Sequence, residues 1–251
     1  INLGEKLSYI HIGIIASMGY EKVKVIRKTK VALISTGDEV ICGGIPLTEG
    51  KIYDSNRRMI AARLEELGCD VVLAEVMGDD ENLIANEIKN IMNDVDVVFT
   101  TGGVSVGKKD IMHQVIQILH AKRIFWRVNM KPGTPAIYAV YENKPLLCLS
   151  GNPFAAIATF ELMGKQLLYK LGQDPGLREV RKEAILQDEF LKESRGRRLI
   201  RAIYDEGRVY LPKGGHSSGI LGSMVGCNCL IDIKPGTPKL DKGENVEVVL
   251  L

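Results

Sequence analysis

The chain has 251 residues, of which 45% are hydrophobic and 25% charged, a balance that excludes disordered and fibrous proteins and predicts packed cores. Its length exceeds that of the commonest domain, so two modest domains are expected. A formal net charge of +2 gives no broad basic field; nucleic acid is therefore not an expected partner, and any anion site must be local.

In chain order, IGIIASMGY at 12–20 has the texture of the end of an element, and further sequence N-terminal to Ile1 is expected. From Val31 a regular alternation begins. VALIS at 31–35 is apolar on both faces and is followed by the turn cluster TGDE; Asp54 and Ser55 then cap a helix whose inner face is Met59, Ile60, Arg63, Leu64 and Leu67, stopped at Gly68. DVVLAEV at 70–76 leads through GDD to a helix from about 81, with Leu83, Ile84, Ile88, Ile91 and Met92 facing inward. VDVVFT at 95–100 leads through GGVSVGKK to DIMHQVIQILH, in which Ile111, Met112, Val115, Ile116 and Leu119 share one face. The runs at 136–141 and 145–150, joined by Glu142, Asn143 and Lys144, predict a hairpin, and a long helix from about Phe154 to Leu171 closes the unit at Gly172. Strands apolar on both faces, alternating with amphipathic helices, predict a mostly parallel sheet covered on both sides.

After Pro175 the texture changes to short runs separated by Gly and Pro turns, which predicts a small β-barrel domain. The pentapeptide KPGTP occurs at 131–135 and again at 234–238. The second copy lies between two barrel strands and reads as a turn, proline setting φ and glycine allowing a positive φ. The first leaves the sheet unit, where strand-end loops carry function.

The five cysteines, Cys42, Cys69, Cys148, Cys227 and Cys229, are odd in number and fit a reducing, cytoplasmic compartment. Cys227 and Cys229 stand too close for the usual zinc spacing, and no histidine cluster completes a ligand set. No apolar run reaches the roughly 18 residues of a membrane helix, so no membrane span is expected. The arginines Arg195, Arg197, Arg198 and Arg201 read as a solvated hairpin, with a binding patch as the alternative.

In an open α/β sheet, ligands bind outside the C-terminal ends of the strands. Sorting the loops there gives Gly37, Asp38 and Glu39; Gly78, Asp79 and Asp80; residues 102–110; Arg127 and Lys131; and SGNP at 150–153. Gly102, Gly103 and Gly107 let the backbone approach a ligand, and successive N–H groups in such a loop form an anion nest. It matches neither the Walker loop nor the dinucleotide fingerprint, and an ordinary strand-to-helix turn explains it equally. Asp110 at a helix start caps the backbone or, with Glu39, Asp79 and Asp80, supplies oxygen ligands to Mg²⁺ bridging a phosphate. Arg127 and Lys131 either complement an oxyanion or are solvated strand-end charges.

Taken in order, VALISTGDEV, GKIYDSNRRMI, VMGDDENL, TTGGVSVGKKD, FWRVNMKPGTP and LSGNPFAAIATFEL resemble the molybdopterin molybdenumtransferases, the family that includes gephyrin's enzymatic domain. The likeness covers nearly all of the chain and extends through GGHSSGILGSM. It implies a three-layer α/β domain of molybdopterin-binding type at 29–174, a barrel at 175–251, and a remnant of an N-terminal region at 1–28. It also implies an enzyme that inserts molybdate, or tungstate, into the dithiolene of adenylylated molybdopterin with loss of AMP. By motif, Glu39, Asp79, Asp80 and Asp110 would hold Mg²⁺ or polarise the pyrophosphate, with Asp79, Asp80, Asp110 and Lys131 as the catalytic set. Gly102, Gly103, Ser105 and Gly107 would bind the phosphate region, Arg127 and Lys131 the oxyanion, and Asn152, Pro153 and Ser218 the pterin side. A homodimer, and a molybdopterin adenylyltransferase as partner, are implied as well. Ser150 and Thr134 stand where the family usually shows proline and lysine, and Arg127 where some members show lysine. A related adenylyltransferase shares the fold but not the C-terminal domain, and a competence-damage-type hydrolase reads differently after TGG. A non-catalytic scaffold is the alternative of a different class.

Overall fold

The computed structural model describes residues 1–2, 4–104 and 110–251. An N-terminal arm carries helix α1 (Tyr9–Ser17), none of whose residues is buried. The arm is fastened at its far end, where Arg27 grips Asp96 through two hydrogen bonds of 2.5 and 2.6 Å.

The apolar runs become the strands of one sheet because residues with no polar face must be covered on both sides. Strand β1 (Lys30–Thr36) is buried from its second residue on. A short parallel pair, β2 (Val40–Ile41) and β3 (Ile52–Tyr53), precedes helix α2 (Asn56–Glu66). Ser55 makes no capping bond there; Asp54 does the work, accepting from the Arg57 amide at 3.0 Å. Strand β4 (Asp70–Met77) leads to α3 (Glu81–Ile91), capped by the Asp80 carboxylate. On α3 the buried row is Ile84, Ala85 and Ile88, continued by Met92, and Leu83 faces solvent at 59% exposure instead of pointing inward. Leu83 sits one residue off the row, and a turn of about 100° per residue carries it past the edge of the packed stripe.

Strand β5 (Val97–Thr101) is buried throughout, and α4 (Ile111–Ile118) buries Ile111, Met112, Val115 and Ile116 as expected. After β6 (Lys122–Trp126) and a two-residue strand, β7 (Met130–Lys131), come β8 (Ile137–Tyr141) and β9 (Lys144–Leu149). Glu142 and Asn143 both have positive φ, the conformation of a tight hairpin turn matched to strand twist. The following helix is continuous but changes pitch: α5 (Pro153–Thr159), a π turn at Phe160–Gly164, then α6 (Lys165–Gly172). It ends on Gln173 in the left-handed conformation rather than on Gly172.

The six strands run in the order β4-β1-β5-β9-β8-β6, with β8 antiparallel to both neighbours and the others parallel. One core layer lies between the sheet and α2, α5 and α6, around Leu33, Leu64, Phe99 and Phe160; the other lies against α3 and α4, around Ile34, Ile88, Val98 and Met112. This is the expected three-layer arrangement. Strands β10 (Val180–Leu186), β11 (Arg197–Asp205), β12 (Arg208–Tyr210), β13 (Cys229–Ile233) and β14 (Asn245–Leu250) pair in the order β12-β10-β14-β13-β11, and β11 pairs back to β12. That return closes a five-stranded barrel. Its core is Leu186, Ile200, Val209, Cys229 and Val248.

Strand β7 joins the two units. Met130 and Lys131 pair in parallel register with Arg197 and Arg198 of β11, so a strand of the sheet unit extends the barrel's sheet. Leu199, Leu230 and Val249 of the barrel complete the core layer that includes Met130 and Phe154.

Arg201 departs most from expectation. It is fully buried, not a solvated hairpin charge. Its guanidinium stacks on the Phe154 ring at 4.1 Å and donates to the carbonyls of Ser217, at 2.7 Å, and Ile220. Arg197 is tied to Asp232 at 2.6 and 2.8 Å, and Arg198 to the Ser194 hydroxyl at 2.9 Å, so only Arg195, whose side chain is 88% exposed, behaves as a solvated charge. The two KPGTP copies also differ as expected. In the second, Gly236 has φ +83 and the Thr237 amide returns to the Lys234 carbonyl; the first turns at the junction of sheet and barrel.

Candidate functional site

The C-terminal ends of β1, β4, β5 and β9 open on one side of the sheet, and the barrel loop at 215–221 leans over them. The Phe154 amide donates to the Ser218 carbonyl at 2.9 Å, and Arg201 holds the same loop from below. Two cavities lie beneath it. One, of about 720 Å³, is lined by Glu39, Asp54, Asn56, Asp79, Gly102 and Asn152 among others. The other, of about 530 Å³, is lined by Lys131, Thr134, Lys192, Arg198, His216 and Ser218 among others. Both include Pro135, Ser150 and Asn152 in their walls, so they form one cleft with an acidic half and a basic half.

The acidic half is built on the loops after β1 and β4. The Asp38 carboxylate accepts from the Asp79 amide at 2.9 Å, which locks the two loops together and sets Asp79 beside Glu39 on the cavity wall. Beneath them, Asp54 and Arg57 form a buried pair at 2.7 Å. Asp54 also accepts from the Ser35 hydroxyl at 3.2 Å, and Ser35 accepts from the Thr101 hydroxyl at 3.1 Å. Gly102 follows Thr101 with φ +91, and a Cβ there would stand 2.2 Å from the Thr36 carbonyl oxygen; only glycine lets the β5 loop cross the end of β1 so closely.

The basic half takes Lys131 from β7, Lys192 and Arg198 from the barrel, and His216 from the leaning loop. Burial pulls the His216 pKa down, and nearby Arg201 and Lys192 push it the same way, so protonation of the ring is disfavoured among the cations. Gly133, at φ +99, would place a Cβ 2.3 Å from the Thr159 hydroxyl, so the first KPGTP fits only as written against the helix behind it.

The structure brings together Glu39, Asp79, Gly102, Gly103, Asn152 and Pro153 on the acidic half and Lys131, Asn152 and Ser218 on the basic half. It leaves others apart. The Asp80 carboxylate is occupied by the amides of Asn82 and Leu83, both at 2.9 Å, as the cap of α3. Asp110 starts α4 on the flank, 3.3 Å from His113, which in turn takes a 2.7 Å hydrogen bond from Arg123. Burial pushes the Asp110 pKa up, opposed by His113, Arg127 and Arg123. Arg127 stacks on Trp126 at 4.3 Å. Ser105 and Gly107 lie outside the described residues.

For Mg²⁺, the four carboxylates named from the sequence do not form a cage, and no group of three acidic, histidine or cysteine side chains converges among the described residues. Glu39 and Asp79 share one wall, and one or two carboxylates are what Mg²⁺ takes when substrate phosphates and water complete its shell. The fit is therefore to a cation shared with a ligand.

Sequence reasoning missed Asn56, Lys192, Arg198, Arg201 and His216. Arg201 had one local sign, a single charge inside the apolar run LIRAI; the others are brought in by pairings between distant segments. A further cavity of about 630 Å³ between the arm and Gly172–Pro175 is lined chiefly by aliphatic side chains such as Leu7, Ile14, Ile15 and Ile26.

Residues 32–170 match the family described as "Probable molybdopterin binding domain". The chain belongs to that molybdopterin-binding family. Residues 183–251 match the MoeA C-terminal region (domain IV), which covers most of the barrel. Among curated relatives, the molybdopterin molybdenumtransferase of Staphylococcus aureus (strain COL) is 33% identical over 243 residues, 95% of this chain and 58% of the relative. That of Staphylococcus epidermidis (strain ATCC 12228) is 33% identical over 254 residues, 100% of this chain and 60% of the relative. The chain thus spans about three-fifths of the length of these relatives. Among solved structures, the molybdopterin biosynthesis MoeA protein of Pyrococcus horikosii superposes with a TM-score of 0.86 at 29% identity, covering 100% of this chain and 61% of that one. A molybdenum cofactor biosynthesis protein of Pyrococcus furiosus gives 0.73 at 25% identity, covering 98% and 76%. Among the described residues, no helix is long and apolar enough to cross a membrane.

Proposed function

We propose that the chain acts in molybdenum cofactor biosynthesis, binding adenylylated molybdopterin in the cleft between sheet and barrel and receiving molybdate, or tungstate, with Mg²⁺-dependent release of AMP. The observation that carries this reading is the division of one cleft into an acidic and a basic half, in a chain of a molybdopterin-binding family. A tetrahedral dianion fits the basic half, where Lys131, Lys192 and Arg198 supply donors and charge. Glu39 and Asp79 would hold the cation, which when bound neutralises phosphate charge as AMP leaves. The barrel loop at 215–221 covers the ligand and limits water. Asp110, at the start of α4, would polarise the pyrophosphate from the flank. Residues 29–174 form the ligand-binding unit and 175–251 its lid and basic wall; the working protein is a cytoplasmic homodimer that takes its substrate from an adenylyltransferase.

A second reading, a non-catalytic scaffold, draws on the N-terminal arm, where Tyr9, Ile10, Ile12, Met18 and Val25 are all exposed. Calorimetric titration with adenylylated molybdopterin, with and without Mg²⁺, followed by addition of molybdate, separates the two. Binding with metal-dependent AMP release supports the transferase. Absence of both binding and release removes it.

A further inference from the structure

The basic half of the cleft holds one group whose charge can change near neutral pH. Lys131, Lys192, Arg198 and His216 line it, and none of its lining side chains is acidic. Lysine and arginine keep their charge across the physiological range, whereas an imidazole titrates within it. The ring is carried by the loop at 215–221, which Arg201 holds through the carbonyls of Ser217 and Ile220. It stands perpendicular to the Phe190 ring with centroids 6.2 Å apart, and the Arg198 guanidinium lies over that same Phe190 ring at 5.6 Å. Nδ1 is enclosed without a hydrogen-bond partner, which leaves Nε2 as the nitrogen open to the cavity. The charges acting on the ring are those of Arg201 and Lys192, with Lys131 and Arg198 across the same cavity, and every one of them is positive.

We propose that His216 takes up a proton when a tetrahedral dianion enters the basic half, so that oxyanion binding and protonation of this imidazole are one linked event. The proposal rests on the oxyanion reading of this half of the cleft and deepens it, adding a switchable cation to three fixed ones. Without the anion, burial and the neighbouring cations hold the ring's pKa below its ordinary value. A dianion among Lys131, Lys192 and Arg198 reverses the local field, and an opposite charge at contact distance raises the pKa of an imidazole. The proton comes from solvent onto a ring lone pair, and no bond in the oxyanion breaks. The imidazolium then presents Nε2–H as a charged donor to the cavity. Its enclosed Nδ1–H lacks an acceptor, a cost smaller than the attraction between full charges in a partly desolvated cleft. Affinity therefore rises as pH falls through the pKa of the ring in the complex. It levels off below the pKa of the ring in the free protein, because outside that window the ring has the same charge in both states. A monoanion, with half the charge, raises the pKa less, so selectivity for dianions is greatest inside the window.

The test is calorimetric titration of the chain with sulfate, a tetrahedral dianion that does not itself titrate near neutral pH, in two buffers of different ionisation enthalpy. The difference between buffers counts the protons taken up. Between about pH 6 and pH 8 the wild type should take up a fraction approaching about one proton per sulfate, with affinity rising by up to about tenfold per pH unit on acidification. His216→Gln, which keeps an amide donor but cannot titrate, should bind sulfate with no uptake and an affinity that does not change with pH. Imidazole proton resonances give a second readout that needs no variant. Of the four histidines, a single one should move to the imidazolium position when sulfate is added. Sulfate binding by the wild type without proton uptake, or with no histidine resonance moving, overturns the proposal. Uptake undiminished in His216→Gln assigns the proton to another group and overturns it too. In each of these cases the oxyanion reading of the basic half still stands. Failure of the wild type to bind sulfate across this range overturns that reading and the proposal together.

Discussion

Gly102 shows how much of the site rests on single residues. With φ +91 and a Cβ position 2.2 Å from the Thr36 carbonyl oxygen, it has neither the torsional nor the steric room for a side chain. Gly102→Ala should cost about 1–3 kcal/mol in a denaturant titration, from the strained φ and the displaced loop, and should weaken ligand binding by moving the acidic wall. Asp232 makes a different point, because it is buried away from the cleft. Burial works to raise its pKa, but hydrogen bonds from Arg197 and Arg181 outweigh this and hold the carboxyl below the usual aspartate range. A depressed folded-state pKa contributes stability that is present above the unfolded value, about 4, and is lost as pH falls through the folded value. Unfolding measured from about pH 6 downward should show stability falling on acidification below about pH 4, and Asp232→Asn should flatten that slope; an unchanged slope would remove Asp232 as its source.

At the scale of elements, the loops after β4 and β5 separate binding from architecture. Asp80 is spent on the amides of Asn82 and Leu83, whereas Asp79 stands on the cavity wall. Asp80→Ala should therefore lower stability by about 1 kcal/mol, the usual worth of a helix cap, and leave ligand affinity unchanged, while Asp79→Ala should lower ligand affinity. Equal loss of affinity in both would place Asp80 in the site after all. The loop at 215–221 depends on Arg201, and Arg201→Met should speed amide exchange there while the barrel strands stay protected. The parallel strands, their helices and the hairpin at Glu142–Asn143 were legible because each follows from local periodicity or turn chemistry. The small barrel was legible too, in its short runs between Gly and Pro turns, but the attachment of β7 was not, since a two-residue strand has no periodicity and its partner lies in another part of the chain. For the same reason the strand-end loops could be named as site walls, yet Lys192, Arg198 and His216 could not be placed opposite Lys131. Arg201 was misjudged because composition treats arginine as a surface residue, and only the Phe154 ring and two loop carbonyls explain its burial.

At the scale of the whole molecule, the sheet contributes the acidic half of the cleft and the barrel most of the basic half, with β7 tying one to the other. Function is thereby coupled to the docking of the two units, and ligand binding should stabilise both together. Amide hydrogen exchange of the chain with and without adenylylated molybdopterin tests this most directly. Slower exchange is expected at the Gly133–Thr134 turn, at Gly151–Asn152 and across the loop at 215–221, on both sides of the cleft at once. Protection confined to the arm and the aliphatic cavity beside Gly172–Pro175, with the cleft loops unchanged, would contradict it and place the ligand elsewhere.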